Sequence, residues 1–521
     1  MNNDDRVYLT AFHEEVTGSK TLITIISKEG NKHKVLIDCG YYQEVEYRYL
    51  NYETEFNPEE IDAIVITHNH IDHTGLLPKV VKDGFNGKIY MTIETKELLA
   101  SYLKDSAMQQ EENAKYLRHK YPEDEYKFKT LYGVSDVAPV MQKCVGVNFR
   151  TPIEILPGII ITFYENGHIL GAGFVLVETE FFSNKPINLL FTGDYRKSNP
   201  LFTVPTLPKG LKKKELIIVT ESTYGETNRE EVKICFEKNM IEAFSNHQNV
   251  LIGAFAQARM QELLNRLRIM SEKGLIPEDY EICVDGPLGI STSLKYLSIF
   301  HRMHPNAKDF MPANVKFVSP SERCNLLNEN GYKILLTTSG MLSNGPAKEY
   351  VPMFLKRPDC LIHLCGYAAE ETIARNLLDS MDKSYVKIGG KIYQKQATVK
   401  ATQEFSSHAT ADELLDLLRQ FPKARFAIIN HGSATAKETF LQSVRESCPN
   451  VKECGLIGRT VMYCIIQRAA RGAKYSDIVV KSLPAKLGPS NIKRNSSKKP
   501  NSECNLRKGR KSYLPSRKHR R

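Results

Sequence analysis

Short apolar runs, rich in β-branched residues and closed by a polar residue or a glycine, recur along the first half of the chain. Leu22-Ile23-Thr24-Ile25-Ile26, Val35-Leu36-Ile37 and Ile61-Asp62-Ala63-Ile64-Val65-Ile66 have the length and composition of buried strands. Residues 88–92, 159–163, 187–191 and 216–220 repeat the pattern. Between Glu94 and about Lys120 the texture changes to Leu, Ala, Met, Gln, Glu and Lys, with Leu98, Leu99, Tyr102 and Leu103 at helical spacing. That spacing predicts a long helix lying over a sheet. From about Asn228 helices and strands alternate: a helix over 231–246, strands at 249–254, 281–284 and 333–336, and a last strand at 424–430. The pattern predicts a layered α/β fold without internal repeats.

The residues that close these strands carry the chemistry. Val35-Leu36-Ile37 runs into Asp38 and Gly40. The strand at 61–66 runs into Thr67-His68-Asn69-His70-Ile71-Asp72-His73, three histidines and one aspartate within six residues. Imidazole and carboxylate are ligands for borderline-soft divalent metals such as zinc. A lone His-x-His would suit a solvated polar turn, but four such side chains at a strand end favour a metal site. His168 lies in a glycine-rich loop after the strand at 159–163, Asp194 closes the next strand, and Glu221 the one after. His408 precedes a helix, and His431-Gly432 closes the strand at 424–430. That last strand end, nearly 360 residues after the first cluster, suggests that the first domain resumes after an insertion. Asp38 suits the orientation of a histidine better than direct ligation, since the ligand count is filled elsewhere. The small-residue loops at 285–287 and 337–340 suit close approach to phosphate. Arg259 fits a phosphate contact or a salt bridge equally well.

Composition adds bounds. A chain of 521 residues suggests two or three domains, and 41% hydrophobic with 25% charged residues is ordinary for a soluble protein. The first residues lack a signal-peptide layout and no apolar run reaches the length of a membrane span, so a cytoplasmic protein without a membrane role is expected. Eleven cysteines occur without a C-x-x-C pair, and Cys39, Cys235, Cys283, Cys360 and Cys365 read as reduced core residues. The net charge of +11 is uneven: residues 481–521 hold 14 Lys and Arg against Glu503, so the rest of the chain is nearly neutral. That tail is expected to be disordered and serves either as an electrostatic RNA anchor or as a solubilising terminus.

With these residues in view, the chain resembles the metallo-β-lactamase superfamily. His68-Asn69-His70-Ile71-Asp72-His73 matches its H-x-H-x-D-H motif, and Asp38, His168 and Asp194 match its other positions. Glu221 in Glu-Ser-Thr-Tyr-Gly, His408 in Phe-Ser-Ser-His-Ala, and His431-Gly432 resemble motifs A, B and C of the β-CASP nucleases of RNA processing. The stretches around Arg259, Ser339-Gly340-Met341 and Gly366-Tyr367-Ala368 resemble their inserted domain. The likeness runs over roughly residues 5–465 and implies a metallo-β-lactamase αββα sandwich carrying an inserted α/β β-CASP domain. The implied division is a first part at 1–226, the insertion at 227–395, a second part at 396–468 and a basic tail at 469–521.

The resemblance also implies two zinc ions per chain. His68, His70 and His168 would hold the first, Asp72, His73 and His431 the second, with Asp194 bridging. Asp72 would orient the attacking water or take its proton, His408 would protonate the leaving oxygen, and Glu221 would fix the His408 tautomer. Arg259, Ser339 and Gly340 would contact the substrate. The expected reaction is hydrolysis of single-stranded RNA by a two-zinc-activated water, in RNA processing or decay. RNA-acting members carry His at motif C, as here, whereas DNA-acting members tend to carry Val. A DNA-processing nuclease and a non-catalytic RNA-processing subunit are the alternatives. Gly286 stands where Ser is common before Pro-Leu, and the phosphate-holding motif of ribonuclease J is not apparent, so exonuclease and endonuclease modes both stay open. The resemblance leaves room for a homodimer.

Overall fold

The computed structural model describes residues 5–27, 29–44, 46–122, 128–179, 186–304, 307, 309–366, 368–369, 371–468 and 477–485. Two sheets lie face to face. The first has eight strands, in the order Asp477–Pro484, Val461–Arg468, Asp5–Ala11, Thr21–Ile26, Lys32–Ile37, Ala63–Val65, Lys88–Thr92 and Cys144–Val147. The second has seven, in the order Glu453–Leu456, Ala424–Ile429, Leu216–Thr220, Ile187–Phe191, Gly173–Thr179, Ile159–Glu165 and Ile153–Leu156. Val7, Leu9, Ile23, Val35 and Val65 of the first pack against Phe163, Val175, Leu189, Val219 and Ile428 of the second. Strand Asp5–Ala11 alternates buried and half-buried positions, as a strand with one face on a core must. Most central strands of the second sheet are buried on both faces, because helices cover its back.

Those helices complete four layers. Leu414, Leu417 and Leu418 of helix Ala411–Arg419, with Phe440 and Val444 of Ala434–Ser447, cover the seven-stranded sheet. Leu99 and Leu103 of helix Ile93–Lys120, with Val137 and Val140 of Val137–Lys143, cover the eight-stranded one. The Leu, Ala and Glu content of 93–120 thus becomes one 28-residue helix, capped by Thr92, whose hydroxyl accepts from Thr95 N.

A third, six-stranded sheet is parallel throughout, ordered Val315–Phe317, Tyr280–Asp285, Tyr332–Thr337, Asn249–Gly253, Cys360–Cys365 and Thr398–Thr402. Helices Phe236–Ser245, Arg259–Glu272 and Pro287–Met303 share one core with it, and Ala347–Leu355 and Ile373–Asp379 share another. This sheet's lobe docks on helix Ile93–Lys120: Tyr102 Oη and Thr292 Oγ1 are 2.9 Å apart, Lys295 Nζ donates to Ser101 Oγ at 2.7 Å, and Arg302 pairs with Glu97 at 2.6 Å.

Two expectations need correction. The helix expected from 231 starts at Phe236, after a short turn at Arg229–Glu231, because the Glu404 carboxylate accepts from Cys235 N and Phe236 N and holds the chain out of helix there. The tail expected to be disordered from 469 contains strand Asp477–Pro484, paired antiparallel with Val461–Arg468. That pairing is a tertiary contact, which local composition does not reveal. The rest of the basic tail, from 486, and Tyr367 lie outside the described residues.

Candidate metal centre

Strand ends from both facing sheets converge on one edge. Lys32–Ile37 delivers Asp38, and Ala63–Val65 delivers Thr67 to His73. Ile159–Glu165, Ile187–Phe191, Leu216–Thr220 and Ala424–Ile429 deliver His168, Asp194, Glu221 and His431. His73 turns inward on the short helical turn Ile71–Thr74. That turn fits because residue 40 is glycine: a Cβ there would lie 1.5 Å from the Asp72 carbonyl oxygen. Asp38 and His431 hold positive φ angles of 61° and 44°, a local strain typical of side chains aimed at a site.

The side chains form three adjoining groups, each with its donor atoms within 4.8 Å of one another: His68, His70, His168 and Asp194, then Asp72, His73 and His431, and, overlapping both, Asp194, Glu221 and His431. Asp194 stands between the first two. Its Oδ2 lies 3.4 Å from His68 Nε2 and 3.6 Å from His168 Nε2, and its Oδ1 lies 3.4 Å from both His73 Nε2 and His431 Nε2.

The outer ring nitrogens are all engaged elsewhere. His73 Nδ1 faces Asp38 Oδ2 at 2.8 Å, His168 Nδ1 faces the Ser407 carbonyl at 2.7 Å, and His68 Nδ1 faces Thr67 Oγ1 at 3.1 Å. Thr223 Oγ1 lies 3.1 Å from His431 Nδ1. A carbonyl or carboxylate can only accept, so His73 and His168 carry a proton on Nδ1 and turn Nε2 inward, the orientation of metal-ligating histidines, while the hydroxyls facing His68 and His431 can donate or accept. His70 turns its Nδ1 inward, 3.1 Å from the Nε2 atoms of both His68 and His168.

Electrostatics match that tautomer pattern. Burial, reinforced by neighbouring imidazoles, holds His68 well below the usual histidine range; burial does the same to His168 and brings His70 to about 4. Burial also disfavours charge on His73, but Asp194 and Asp38 outweigh it and push its pKa well up. Burial would raise Asp194, yet the surrounding histidines hold it well below the ordinary carboxylate value. Asp194 Oδ1 is buried and accepts no hydrogen bond. An ionised carboxylate with an orphaned oxygen, beside His68, His70 and His168, which burial keeps neutral, fits a divalent cation of the zinc type.

His408 and Glu221 stand beside this set. Glu221 Oε2 lies 3.0 Å from His408 Nδ1, and Glu221 Oε1 accepts from Tyr195 N. His408 Nε2 points at Asp194 Oδ2, 3.9 Å away. Burial would lower the His408 pKa, but Glu221, Asp194 and Asp72 outweigh it and hold it up at about 9.

The structure therefore gathers Asp38, His68, His70, Asp72, His73, His168, Asp194, Glu221, His408 and His431 in one place. Arg259, at the start of helix Arg259–Glu272, and Ser339 and Gly340, on the loop after strand Tyr332–Thr337, lie outside the metal groups. Sequence reasoning missed Thr67, Thr223 and the Ser407 carbonyl, which set tautomers, and Gln257, whose Oε1 accepts from Asn69 Nδ2 at 3.1 Å. Thr67 and Ser407 adjoin predicted histidines, and that adjacency was the available signal; Gln257 had none.

The fold and the donor set are those of a metallo-β-lactamase-type protein. The metallo-beta-lactamase superfamily model matches residues 16–141, the Beta-Casp domain 260–377, and the Zn-dependent metallo-hydrolase RNA specificity domain 392–450. The chain belongs to the metallo-β-lactamase superfamily and, within it, to the β-CASP family. It is similar to the transcription termination factor FttA of Methanococcus maripaludis, 26% identical over 419 residues, covering 76% of this chain and 62% of that protein. It is also similar to a ribonuclease of Thermus thermophilus, 28% identical, covering 80% of this chain and 91% of the other. An RNase J-like protein of Methanocaldococcus jannaschii is 26% identical, with 81% and 92% covered. The chain spans somewhat less than two thirds of the FttA proteins it matches. Among the described residues no helix is long and apolar enough to cross a membrane.

Proposed function

We propose that the chain is a zinc-dependent ribonuclease that hydrolyses phosphodiester bonds of single-stranded RNA. The observation that carries this reading is the His408–Glu221 pair, held against the candidate ligands with Nε2 turned toward Asp194. A metal cluster alone would serve many hydrolases; an added imidazole acid beside it suits a substrate with a poor alkoxide leaving group. The match to an RNA specificity domain over 392–450, which contains His408 and His431, and the names of the Thermus and Methanocaldococcus relatives support RNA over DNA.

In this reading His68, His70 and His168 would hold one zinc, Asp72, His73 and His431 a second, and Asp194 would serve both. Bound there, the ions would supply Lewis-acid charge for the phosphoryl oxygens and hydroxide at neutral pH. Asp72, half-buried, orients the attacking water or takes its proton. His408 is protonated at neutral pH and passes the proton on Nε2 to the leaving oxygen. Glu221 keeps the other ring proton on Nδ1, so Nε2 is the nitrogen that faces the substrate. Attack by water with departure of the 3′-oxygen, which takes the His408 proton, leaves a 3′-hydroxyl and a 5′ phosphate. Arg259, Ser339 and Gly340 contact RNA outside the cleaved bond. The same reading divides the chain around a β-CASP insertion, as the parallel pairing of Leu216–Thr220 with Ala424–Ile429 supports; strand Thr398–Thr402, which pairs with Cys360–Cys365, carries that insertion past the expected boundary at 395 to about 402.

The test is a digest of matched single-stranded RNA and DNA, labelled at either end, by zinc-loaded protein. Shortened RNA with 5′-phosphate products, abolished by Asp72→Ala, is expected. Intact RNA in the presence of bound zinc refutes the reading.

A further inference from the structure

The six-stranded sheet has a crevice of its own. Helices Arg259–Glu272 and Pro287–Met303 lie on one face and Ala347–Leu355 and Ile373–Asp379 on the other. The winding thus reverses between the adjacent strands Asn249–Gly253 and Tyr332–Thr337. In open parallel sheets, ligands bind beyond the carboxyl ends of the strands at such a reversal. Here that position is bounded by the loops at 254–258 and 338–345.

The first of these loops is fastened to the metal-ligand turns. Gln257 accepts from Asn69, the residue between His68 and His70, and both side chains are buried. Ala258 packs with Ile169 and Ala172, which flank the His168 loop. On either side of these anchors stand an aromatic ring and a cation.

Phe255 is 44% exposed despite its size. The ring closes on Gly340, where a Cβ would come within 2.9 Å of it, so glycine makes room for the ring against that loop. Arg259 begins the following helix. Its Nη1 is buried and makes no hydrogen bond among the described residues. Glu262, the acid in the same helical turn, is taken up by Arg196. Gly366 leaves room for the guanidinium, since a Cβ there would sit 2.4 Å from Nη1. Tyr224, whose ring centroid is 6.1 Å from that of His408, is also a neighbour of Arg259. The one carboxylate that reaches this half-buried guanidinium, Glu262, is in direct contact with Arg196 instead, so an anionic ligand would supply Arg259 with a partner of its own. A fixed cation beside an exposed aromatic ring is how proteins grip a single strand, phosphate on one and base on the other.

We propose that residues 255–259 form a nucleotide subsite next to the metal centre, in which Arg259 takes a backbone phosphate flanking the cleaved one and Phe255 stacks on a base of single-stranded RNA. This rests on the ribonuclease reading above and extends it to a contact made by the six-stranded lobe.

The test uses the full zinc-loaded chain carrying His408→Gln to suppress turnover. A fluorescent single-stranded RNA is titrated by anisotropy at several KCl concentrations. Phe255→Ala should weaken binding roughly 5- to 100-fold without changing the salt slope, and Phe255→Trp should restore it. Against an RNA of abasic residues the Phe255→Ala effect should vanish. Arg259→Gln should weaken binding and reduce the log–log salt slope by about 0.7, while Arg259→Lys should keep the slope. Circular dichroism checks the fold of each, and exposed Phe255 tolerates change even if Arg259 does not. RNA binding with parental affinity and slope in the Phe255→Ala variant overturns the subsite and leaves the ribonuclease reading standing. Absence of RNA binding by the parent chain overturns that reading and the subsite with it.

Discussion

Replacing Asp38 by Asn tests whether the candidate ligands are oriented from behind. Asp38 is 3% exposed and its carboxylate accepts from three donors: Thr67 N at 2.8 Å, Thr67 Oγ1, which lies 3.0 Å and 2.9 Å from its two oxygens, and His73 Nδ1 at 2.8 Å. Asn keeps the shape but turns one acceptor into a donor. If the amide NH2 faces Thr67, a buried backbone N–H loses its partner, at a cost of about 1–3 kcal/mol to the metal-free fold. If it faces His73, the ring must move its proton to Nε2, which is the nitrogen turned toward Asp194 and His431. Loss of such a partner weakens metal affinity 10- to 100-fold, or about 1.4–2.8 kcal/mol. Competition with a chromophoric chelator measures the zinc affinity directly. Unfolding with and without zinc gives an independent reading, because the stabilisation by bound metal shrinks by the same amount. Thr67→Val separates the two bonds: it removes the hydroxyl contacts to Asp38 and to His68 Nδ1 but leaves the Asp38–His73 bond, and should cost about 1 kcal/mol of stability. Zinc affinity within about twofold of the parent, in a folded Asp38→Asn protein, would refute the orienting role.

His408→Gln should lower turnover by about 10²–10⁴ while RNA affinity changes less than about threefold; equal losses would make His408 a binding group only. Asn69→Ala and Gln257→Ala should show a coupling of about 0.5–1.5 kcal/mol in a double-mutant cycle on unfolding, and strict additivity would deny the link between the lobes. His363 is buried, and burial with the nearby Lys400 holds its pKa down to about 3, against about 6.5 in the unfolded chain. Between those values the unfolded chain binds a proton that the native state does not, so stability falls with falling pH by up to ~1.4 kcal/mol per unit. His363→Gln should flatten the slope between about pH 6.5 and 4.5, and an unchanged slope would locate the acid sensitivity elsewhere. Gly40→Ala should displace the Asp72 turn, lowering both stability and zinc stoichiometry, since the added carbon meets backbone rather than a movable side chain.

The ligands were legible because each follows a run of apolar, β-branched residues, and buried strands announce their ends. His68 to His73, His168, Asp194 and His431 all fall on such ends. The groups that orient them were less so. Thr223 faces His431 across 208 residues and Ser407 faces His168 across 239, and no local pattern encodes a contact made through space. Strand Gly173–Thr179 went unnoticed because it opens on a glycine that reads as the end of the His168 loop. Strand Asp477–Pro484 was hidden by its basic surroundings and exists through its partner Val461–Arg468. Arg259 was open between phosphate and salt bridge on sequence grounds, and it makes no ion pair with any described acid.

The pairing of Asp5–Ala11 with Val461–Arg468, and of His73 with His431 at 3.2 Å, has a consequence for the order of synthesis. His73 and His431 are 358 residues apart in the chain. At about 5–20 residues per second, the ribosome needs roughly 20–70 s to pass from one to the other. His68, His70, His168 and Asp194 have all emerged long before His431. During that interval the N-terminal strand offers a bare edge with no neighbour to cover it, an invitation to wrong pairing. The nascent chain can thus assemble half of its centre early, but the other half waits for His431, 358 residues after His73.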